Sequence, residues 1–567
     1  MSDDDRLAVV LCWHMHQPDY RGPANGDFLL PWVYLHGIKD YVDMAYHLEE
    51  HPGARAVVNF TPILLEQLED YVLQLAGWLD GGRPIRDPLL AALAGPTLPQ
   101  DAATRHRIVR DCQRANEAHL INRFPVFREL IEVAGCLHDQ AENILYLNDQ
   151  FLIDLLVWYH LAWLGDSVRE NDLRVESLEA KRRNFNADDR RNLAALIHDQ
   201  LQSIVPRYRR LAQEGRIELS VTPHAHPITP LLLDLGVARE AMPDVKMPAL
   251  ARYPGGERRA RWHIRTGLEI FKRHFGMTPT GCWPAEGGVS DQTLSLLEEE
   301  GFAWAASGQE VLHNSCKSAF GDRLPDHWVH RPYHVGEGGL TAFFRDDGLS
   351  DLIGFTYADW HADDAVNNLL QHLENIDRQV DGKSGALVSI IMDGENAWEY
   401  YPRNGVFFLS SLYRKLSQHP RLRLTTYSDY LKESPRGAER LPHLVPGSWV
   451  YGTFSTWIGD KDKNRAWDML GDAKSRFDAV VNKGRLTGAA LAAAERQLAT
   501  CEGSDWFWWF GDYNPGDTVR DFEGLFRLQL TQLYRLLGEE PPAYLSQVFA
   551  YGSGDPSRGG VMRQSLN

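Results

Sequence analysis

Seven short runs of β-branched and aromatic residues recur along the chain, and helix-length stretches separate them. Several runs are almost continuously apolar, which is typical of parallel strands that are buried on both faces. Strands that alternate with helices predict an α/β fold in which a parallel sheet closes as a (β/α)7 barrel, one unit short of the usual eight. The seven predicted strands are residues 6–13, 54–60, 216–221, 279–284, 302–307, 340–345 and 386–392.

The segments between these strands predict two additions to the barrel. Residues 61–215 show helical periodicity and predict an inserted helical layer after the second strand. The Pro- and Gly-rich residues 433–447 mark the expected join to a C-terminal, mainly helical region, residues 433–551, that completes the cleft. The catalytic barrel would then span residues 1–432, and residues 552–567 are expected to be a disordered tail.

Composition excludes several classes of function. The 59 Lys and Arg against 77 Asp and Glu leave a formal charge of -18, which repels nucleic acid and anionic membranes and suits a neutral substrate. The acidic N-terminus lacks the order of a secretory signal, and the longest apolar stretch, residues 151–165, is too short to span a membrane. Six scattered cysteines with no C-x-x-C pair predict buried free thiols in a cytoplasmic protein of unknown oligomeric state.

Polar side chains follow the predicted strands at the point where each strand ends. Reactive groups of parallel barrels lie at these C-terminal ends, so the residues there are the candidates for a site. No serine elbow, Walker A loop or dinucleotide fingerprint follows a strand, and no cofactor is expected. The candidates are His14, His16, Gln17, Asn59, His224, His226, Glu286, Arg345, Asp346, Asp347, Asp393, Glu395 and Glu399.

Two of these carboxylates favour glycosidic bond chemistry. Glu286 lies before Gly287 and Gly288, whose turn can hold a side chain at the barrel mouth, and Asp393 ends the most apolar strand. Paired carboxylates near tryptophans suit a reaction in which one ionised group attacks and one protonated group donates. On local sequence alone, Glu286 could equally be a solvated loop acid and Asp393 a helix N-cap.

The histidines leave two chemical interpretations open beside a purely structural one. His14, His16 and His226 could bind sugar hydroxyls, or together with Asp393 they could ligate zinc with an open position for water. The zinc interpretation corresponds to a metal-dependent deacetylase on a related barrel. No H-x-x-x-H or H-E-x-x-H pattern supports it.

The strand-end motifs, taken in order, resemble glycoside hydrolase family 57. The resemblance covers roughly residues 6–540, and its C-terminal motifs look like the amylopullulanase and α-amylase branch. Six motifs in register are specific although each is loose. They are His14–Pro18, VVNFTPILLEQL (57–68), GRIELSVTPHAHPITPLL (215–232), GCWPAEGGVS (281–290), FRDDGLSDLIGF (344–355) and IIMDGENAWEYY (390–401), followed by residues 447–467 and 504–514.

The resemblance implies an enzyme that acts on α-glucan or maltooligosaccharides with retention of configuration, with no metal and no cofactor. By position, Glu286 would be the nucleophile and Asp393 the general acid/base. Arg345 would neutralise or orient a carboxylate. Substrate-binding roles are implied for His14, His16 and His226, for Trp283, Trp398 and Tyr400 as walls of the cleft, and for Trp457, Trp508 and Asp512 in its closure.

The implied roles set expectations for the distance between the two carboxyl groups and for the protonation of Asp393 and the histidines. Retention places the two carboxyl groups about 5–5.5 Å apart. A nearby anion and partial burial should raise the pKa of Asp393, so that it holds the proton while Glu286 is ionised. A neutral imidazole at His14 or His16 can bind sugar hydroxyls without ionising the acid.

The implied activity is hydrolysis of α-1,4 glucosidic bonds, with α-1,6 cleavage left open. After the fifth strand the chain has Ser307–Gly308–Gln309 where an acidic turn is expected, and its His-Gln-Pro motif argues against branching activity. A 4-α-glucanotransferase is the alternative of the same class. A metal-dependent deacetylase and a catalytically silent glucan-binding protein are the alternatives of other classes.

Overall fold

The structure is a computed structural model, and it describes the chain apart from residues 1–5, 24, 137–140, 323, 325, 381–384, 434–437, 555–561 and 565–567. Its strands form one sheet. They are β1 (Leu7–Met15), β2 (Ala56–Phe60), β3 (Ile217–Val221), β4 (Gly281–Cys282), β5 (Trp304–Ser307), β6 (Tyr333–Val335), β7 (Thr341–Phe344), β8 (Leu387–Asp393), β9 (Leu422–Leu424) and β10 (Glu439–Leu441).

All seven predicted strands are present, and they pair in parallel in the order β7-β5-β4-β3-β2-β1-β8. A parallel bridge between Arg345 and Ser389 joins the end of β7 to β8, so the sheet curls into a ring. The predicted (β/α)7 barrel is therefore confirmed. Strand β4 is only two residues long because Pro279 and Pro284 flank it and cannot donate ladder hydrogen bonds.

Three short strands were not predicted. Strand β6 pairs antiparallel with β7, β10 pairs with β6, and β9 pairs with β1. Each is three residues long and lacks the apolar run that marks the barrel strands.

Strand β1 shows how both faces of the barrel wall are buried. Val9, Leu11 and Trp13 pack outward into the main core beneath the helices. Val10 and Cys12 point to the opposite face and belong to a smaller cluster inside the barrel. Alternate side chains of one strand thus enter two different cores, which explains the continuous apolar run in the sequence.

Helices fill the intervals where they were expected. Between β2 and β3 the described helices are Pro62–Gly81, Pro88–Ala94, Ala102–Cys112, Pro125–Gly135, Asp149–Ala162, Asp166–Asn171, Leu173–Lys181 and Ala187–Gln213. After β10 they are Lys461–Asn482, Gly488–Cys501, Asp505–Trp509 and Gly516–Leu536. The others are Trp32–His36, Val42–Glu50, Thr229–Leu233, Ala238–Ala241, Gly256–Phe275, Asp291–Glu299, Gln309–Phe320, Asp347–Asp351, Ala362–Gln379, Val406–Ser417 and Tyr427–Glu433.

Two sequence-based expectations concern segments that are only partly described. Within the expected join, residues 434–437 lie outside the described residues, and so do residues 555–561 and 565–567 of the expected disordered tail. The six cysteines are free thiols, but Cys136 is exposed rather than buried as expected. Among the described residues no helix is long and apolar enough to cross a membrane.

Candidate active site

A cavity of about 520 Å³ opens at the C-terminal ends of the barrel strands. Glu286 and Asp393 both line it, as do His14, His16 and His226. The structure therefore brings the two candidate carboxylates and three of the candidate histidines to one cleft, although they come from four different strand ends. The apolar part of its lining includes Trp32, Trp163, Trp508, Trp509 and Phe522.

Glu286 lies on a strained turn just after β4. Its backbone is left-handed (φ 57°, ψ 25°), and Gly287 follows with φ 58°. A non-glycine residue in this region costs about 1–3 kcal/mol, and such costs concentrate at functional sites. The Trp449 indole Nε1–H donates to Glu286 Oε2 at 3.0 Å, so the strained turn and one hydrogen bond fix the carboxylate.

Strand register places the next groups side by side. In the parallel pairing of β1, His14 is opposite Asp393 of β8 on one side and Asn59 of β2 on the other. Asp393 accepts a hydrogen bond from Asn396 Nδ2 at 2.8 Å. A buried central strand thus fixes the spacing between a carboxylate and an imidazole.

Burial raises the pKa of both candidate catalytic carboxyls. The pKa of Glu286 rises to about 8, chiefly through desolvation, with the Trp449 hydrogen bond opposing the rise and the charges of Asp393 and Asp505 adding to it. The pKa of Asp393 rises to about 6, again through desolvation, with the Asn396 hydrogen bond opposing it. In the free cleft the proton therefore binds Glu286 more strongly, which is the reverse of the order expected from the implied roles.

Burial favours the neutral form of two histidines in the cleft, His14 and His226. Burial lowers the pKa of His14 to about 3 and lowers that of His226 well below its usual value, with His16 contributing to both shifts. His14 Nδ1–H donates to Asn59 Oδ1 at 2.7 Å, so its Nε2 carries the lone pair. The neutrality expected of His14 is confirmed.

The C-terminal region holds two of these histidines in place. His16 Nε2 lies 2.8 Å from Asp505 Oδ1, and its Nδ1 lies 3.1 Å from Thr61 Oγ1. Ser504 Oγ lies 2.8 Å from His226 Nδ1. The rings of His16 and His226 stack with centroids 3.7 Å apart, and one ring nitrogen from each of His14, His16 and His226 lies within 4.8 Å of the other two.

Glu395 is a third carboxyl close to the cleft. It is 1% exposed, and burial raises its pKa well above the usual range. Its Oε1 accepts from the His16 backbone N–H and from Gln17 Nε2, both at 3.2 Å, and from the Tyr41 hydroxyl at 3.3 Å. This carboxyl therefore ties the segment after β1 to the segment after β8.

The aromatic residues expected to bind sugar differ in whether they line the cleft. Trp508 lines the cleft. Trp283, Trp398 and Trp457 are fully buried and are not among the described residues that line it. Trp283 lies behind His14, with ring centroids 6.2 Å apart, and the Trp398 indole donates to the Gly394 carbonyl.

Tyr400 is 44% exposed, and neither it nor the exposed Asp512 is among the described residues that line the cleft. Arg345 forms ion pairs with Asp347 at 2.6 Å and Asp351 at 2.7 Å, and its Nε donates to the Ile391 carbonyl. Its charge also helps to hold down the pKa of Asp393.

Several residues of the cleft were not predicted. Trp449 and Asp505 line the cleft and were not singled out as candidates, although they lie within residues 447–467 and 504–514, the two C-terminal segments of the family resemblance. Arg563 lies in a narrow recess beside Asp393, with its guanidinium 4.9 Å from the Trp508 ring centroid. No sequence pattern indicated that Arg563 reaches the site.

Comparison with known proteins identifies the fold. The model of glycosyl hydrolase family 57 matches residues 10–442. A branching enzyme of this family from Thermococcus kodakaraensis aligns at 15% identity and TM-score 0.57, covering 94% of this chain and 90% of that one. An α-amylase from Thermotoga maritima aligns at 15% identity and TM-score 0.56, and the alignment covers 94% of this chain and 93% of that one.

A 4-α-glucanotransferase from Thermococcus litoralis aligns at 15% identity and TM-score 0.50, covering 94% of this chain and 60% of that one. Likenesses at such identities show a shared fold, and their different activities do not transfer to this chain.

Proposed function

We propose that this chain, which belongs to glycosyl hydrolase family 57, is a retaining α-glucan hydrolase that cleaves α-1,4 glucosidic bonds. The observation that carries the proposal is the placement of Glu286 and Asp393 in one cleft beside neutral imidazoles. Glucan is uncharged and rich in hydroxyls, and it suits a cleft that combines lone-pair acceptors, a few carboxylates and tryptophan rings.

In the proposed reaction Asp393 donates its proton to the glycosidic oxygen while Glu286 attacks the anomeric carbon. The bond from carbon to the leaving sugar breaks, and an ester between the sugar and Glu286 forms with inverted configuration. Asp393 then removes a proton from water, which displaces Glu286 and restores the original configuration. A second inversion gives net retention.

The raised pKa of Glu286 fits this sequence once substrate charge is considered. The anomeric carbon gains positive charge in the transition state, and a positive charge beside a carboxyl lowers its pKa. The single proton held by the pair then lies on Asp393, where the leaving oxygen needs it. Because the two carboxyls titrate at about 6 and about 8, the singly protonated pair is populated near neutral pH.

Product analysis tests the proposal. The wild-type chain is incubated with maltooligosaccharides, amylose and pullulan, and shortened products that retain the α configuration are expected. Products longer than the substrate would show that the chain is a 4-α-glucanotransferase and not a hydrolase. Cleavage of pullulan at its α-1,6 bonds would show that the chain also has α-1,6 activity.

Two isosteric variants test the assigned residues. Glu286→Gln and Asp393→Asn are each expected to lose at least about 10³-fold in kcat, because each removes a group that acts only in the transition state. Tyr146→Phe removes a hydroxyl from a side chain that is 84% exposed and is not among the described residues that line the cleft, and this control is expected to keep near wild-type turnover. Full activity in either carboxyl variant would refute the mechanism.

A further inference from the structure

The face of the cleft formed by His14, His16 and His226, termed here the triple-histidine face, has the composition of a metal site. Three ring nitrogens, one from each residue, lie within 4.8 Å of one another. Ligands around a four-coordinate zinc ion, bound at about 2.0–2.1 Å, are separated by about 3.3 Å. Side-chain rotations that close the gap by roughly 1.5 Å would therefore bring all three nitrogens into bonding range.

Two of the three imidazoles are prepared to ligate. His14 donates its Nδ1–H to Asn59 Oδ1, which leaves the Nε2 lone pair free and fixes the ring. This arrangement, in which the second nitrogen binds an oxygen acceptor, is typical of metal-bound histidine. His226 is 1% exposed, and its Nε2 has no hydrogen-bond partner among the described residues.

An unpartnered nitrogen in a buried ring is costly unless something binds it. Leaving such a group unsatisfied costs about 1–3 kcal/mol. Ser504 Oγ lies 2.8 Å from Nδ1 of His226 and can accept a hydrogen bond from an Nδ1–H, which leaves a lone pair on Nε2. The third imidazole, His16, has both nitrogens paired, one of them with the carboxylate of Asp505 at 2.8 Å.

We propose that the triple-histidine face binds one divalent transition-metal ion, with Zn²⁺ as the best match, and that the metal competes with sugar. Neutral imidazoles are ligands that zinc prefers, and three of them with an open position form a common zinc arrangement. The metal displaces one of the two hydrogen bonds made by the His16 ring, and the fourth coordination position stays open. The metal takes the lone pairs that sugar hydroxyls would otherwise use, so it acts as an inhibitor.

Titration of the metal alone tests the site without any assumption about the reaction. The full chain is stripped with EDTA and titrated with Zn²⁺ by calorimetry, and then with Co²⁺ while the visible absorption of the cobalt is followed. One ion per chain is expected, with a cobalt spectrum of four-coordinate intensity. His14→Gln and His226→Gln are each expected to weaken binding by at least about 100-fold, because even outer partners of metal ligands are worth 10–100-fold.

Two further variants keep the test decisive. His443→Gln is the matched control, because this exposed histidine lies between Asp291 and Glu240 and could bind zinc adventitiously. Ser504→Ala retains all three imidazoles but removes the partner of His226, and about 10-fold weaker binding is expected. Unchanged affinity in both triple-histidine variants, or loss of binding in His443→Gln, would overturn the proposal.

Competition with substrate depends on the proposed function as well. Zn²⁺ should raise the KM for maltoheptaose while leaving kcat unchanged at saturating substrate, and EDTA should restore the original KM. A chain that binds one zinc ion at these histidines but cleaves no glucan would refute the proposed function and leave the metal site standing. An active chain whose zinc affinity is the same with and without maltoheptaose would refute the competition.

Discussion

Replacing Glu286 with glutamine should stabilise the folded chain, increasingly so as the pH rises. In the folded state the pKa of this carboxyl is raised to about 8 by burial, against an ordinary value of 4.5. Folding therefore favours the protonated form, and the wild-type chain loses stability as the pH rises from about 4.5 through about 8. Glutamine has nearly the same shape and cannot ionise, so the variant escapes this loss.

The size of the effect follows from the difference between the two pKa values. About 3.5 pH units at about 1.4 kcal/mol per unit give a ceiling of about 5 kcal/mol above pH 8, and almost no difference below pH 4.5. For Asp393→Asn the rise from 3.8 to about 6 gives a smaller ceiling of about 3 kcal/mol. The glutamate variant should therefore be the more stabilised of the two at pH 9.

Urea unfolding followed by tryptophan fluorescence at pH 5, 7 and 9 measures the effect. Glu337→Gln, which removes one charge from an exposed position, is the control and should change the free energy of unfolding by less than about 0.5 kcal/mol. A stabilisation by Glu286→Gln that is equal at pH 5 and pH 9, or absent at both, would show that the carboxyl is not held in a desolvating environment.

Three further predictions follow from the site. The pH profile of kcat/KM should be bell-shaped with limbs near 6 and 8, because only the singly protonated carboxyl pair is active, and a single-limbed profile would contradict the pairing. Gly287→Ala should lower the unfolding temperature more than Gly82→Ala. Both positions have positive φ, but only at Gly287 would the new methyl lie 2.9 Å from the Trp283 ring. Equal losses of unfolding temperature would show that the Trp283 ring moves aside without cost. Asp505→Asn removes the charged partner of His16 and should raise the KM for maltooligosaccharides about 10-fold with a smaller effect on kcat, and an unchanged KM would exclude a positioning role for this contact.

The barrel was predictable because its strands are buried on both faces, and such strands leave a continuous apolar signature. The same logic located Glu286, Asp393 and His14, because parallel strand ends meet at one edge whatever lies between them in the chain. Short strands such as β9 were not predicted, because a segment of three residues is too short to show a hydrophobic periodicity.

The residues that reach the cleft from the C-terminal region were harder to predict from the sequence. Asp505 and Trp449 contact His16 and Glu286 only through the packing of that region against the barrel. The tryptophans show what a sequence pattern leaves open. A tryptophan beside a strand end can face the cleft or the core, and Trp283 and Trp398 face the core. Sequence marks the position of such a ring but not its direction.

The hydrogen bond between His16 and Asp505 has a consequence for how the protein is made. The two residues are 489 positions apart, so a ribosome that has released the first strand must add almost the whole remaining chain before this contact can form. At about 5–20 residues per second, that interval lasts from about half a minute to well over a minute. Throughout this time the nascent barrel carries a cleft that lacks one wall, and we expect no fragment that ends before residue 505 to cleave glucan.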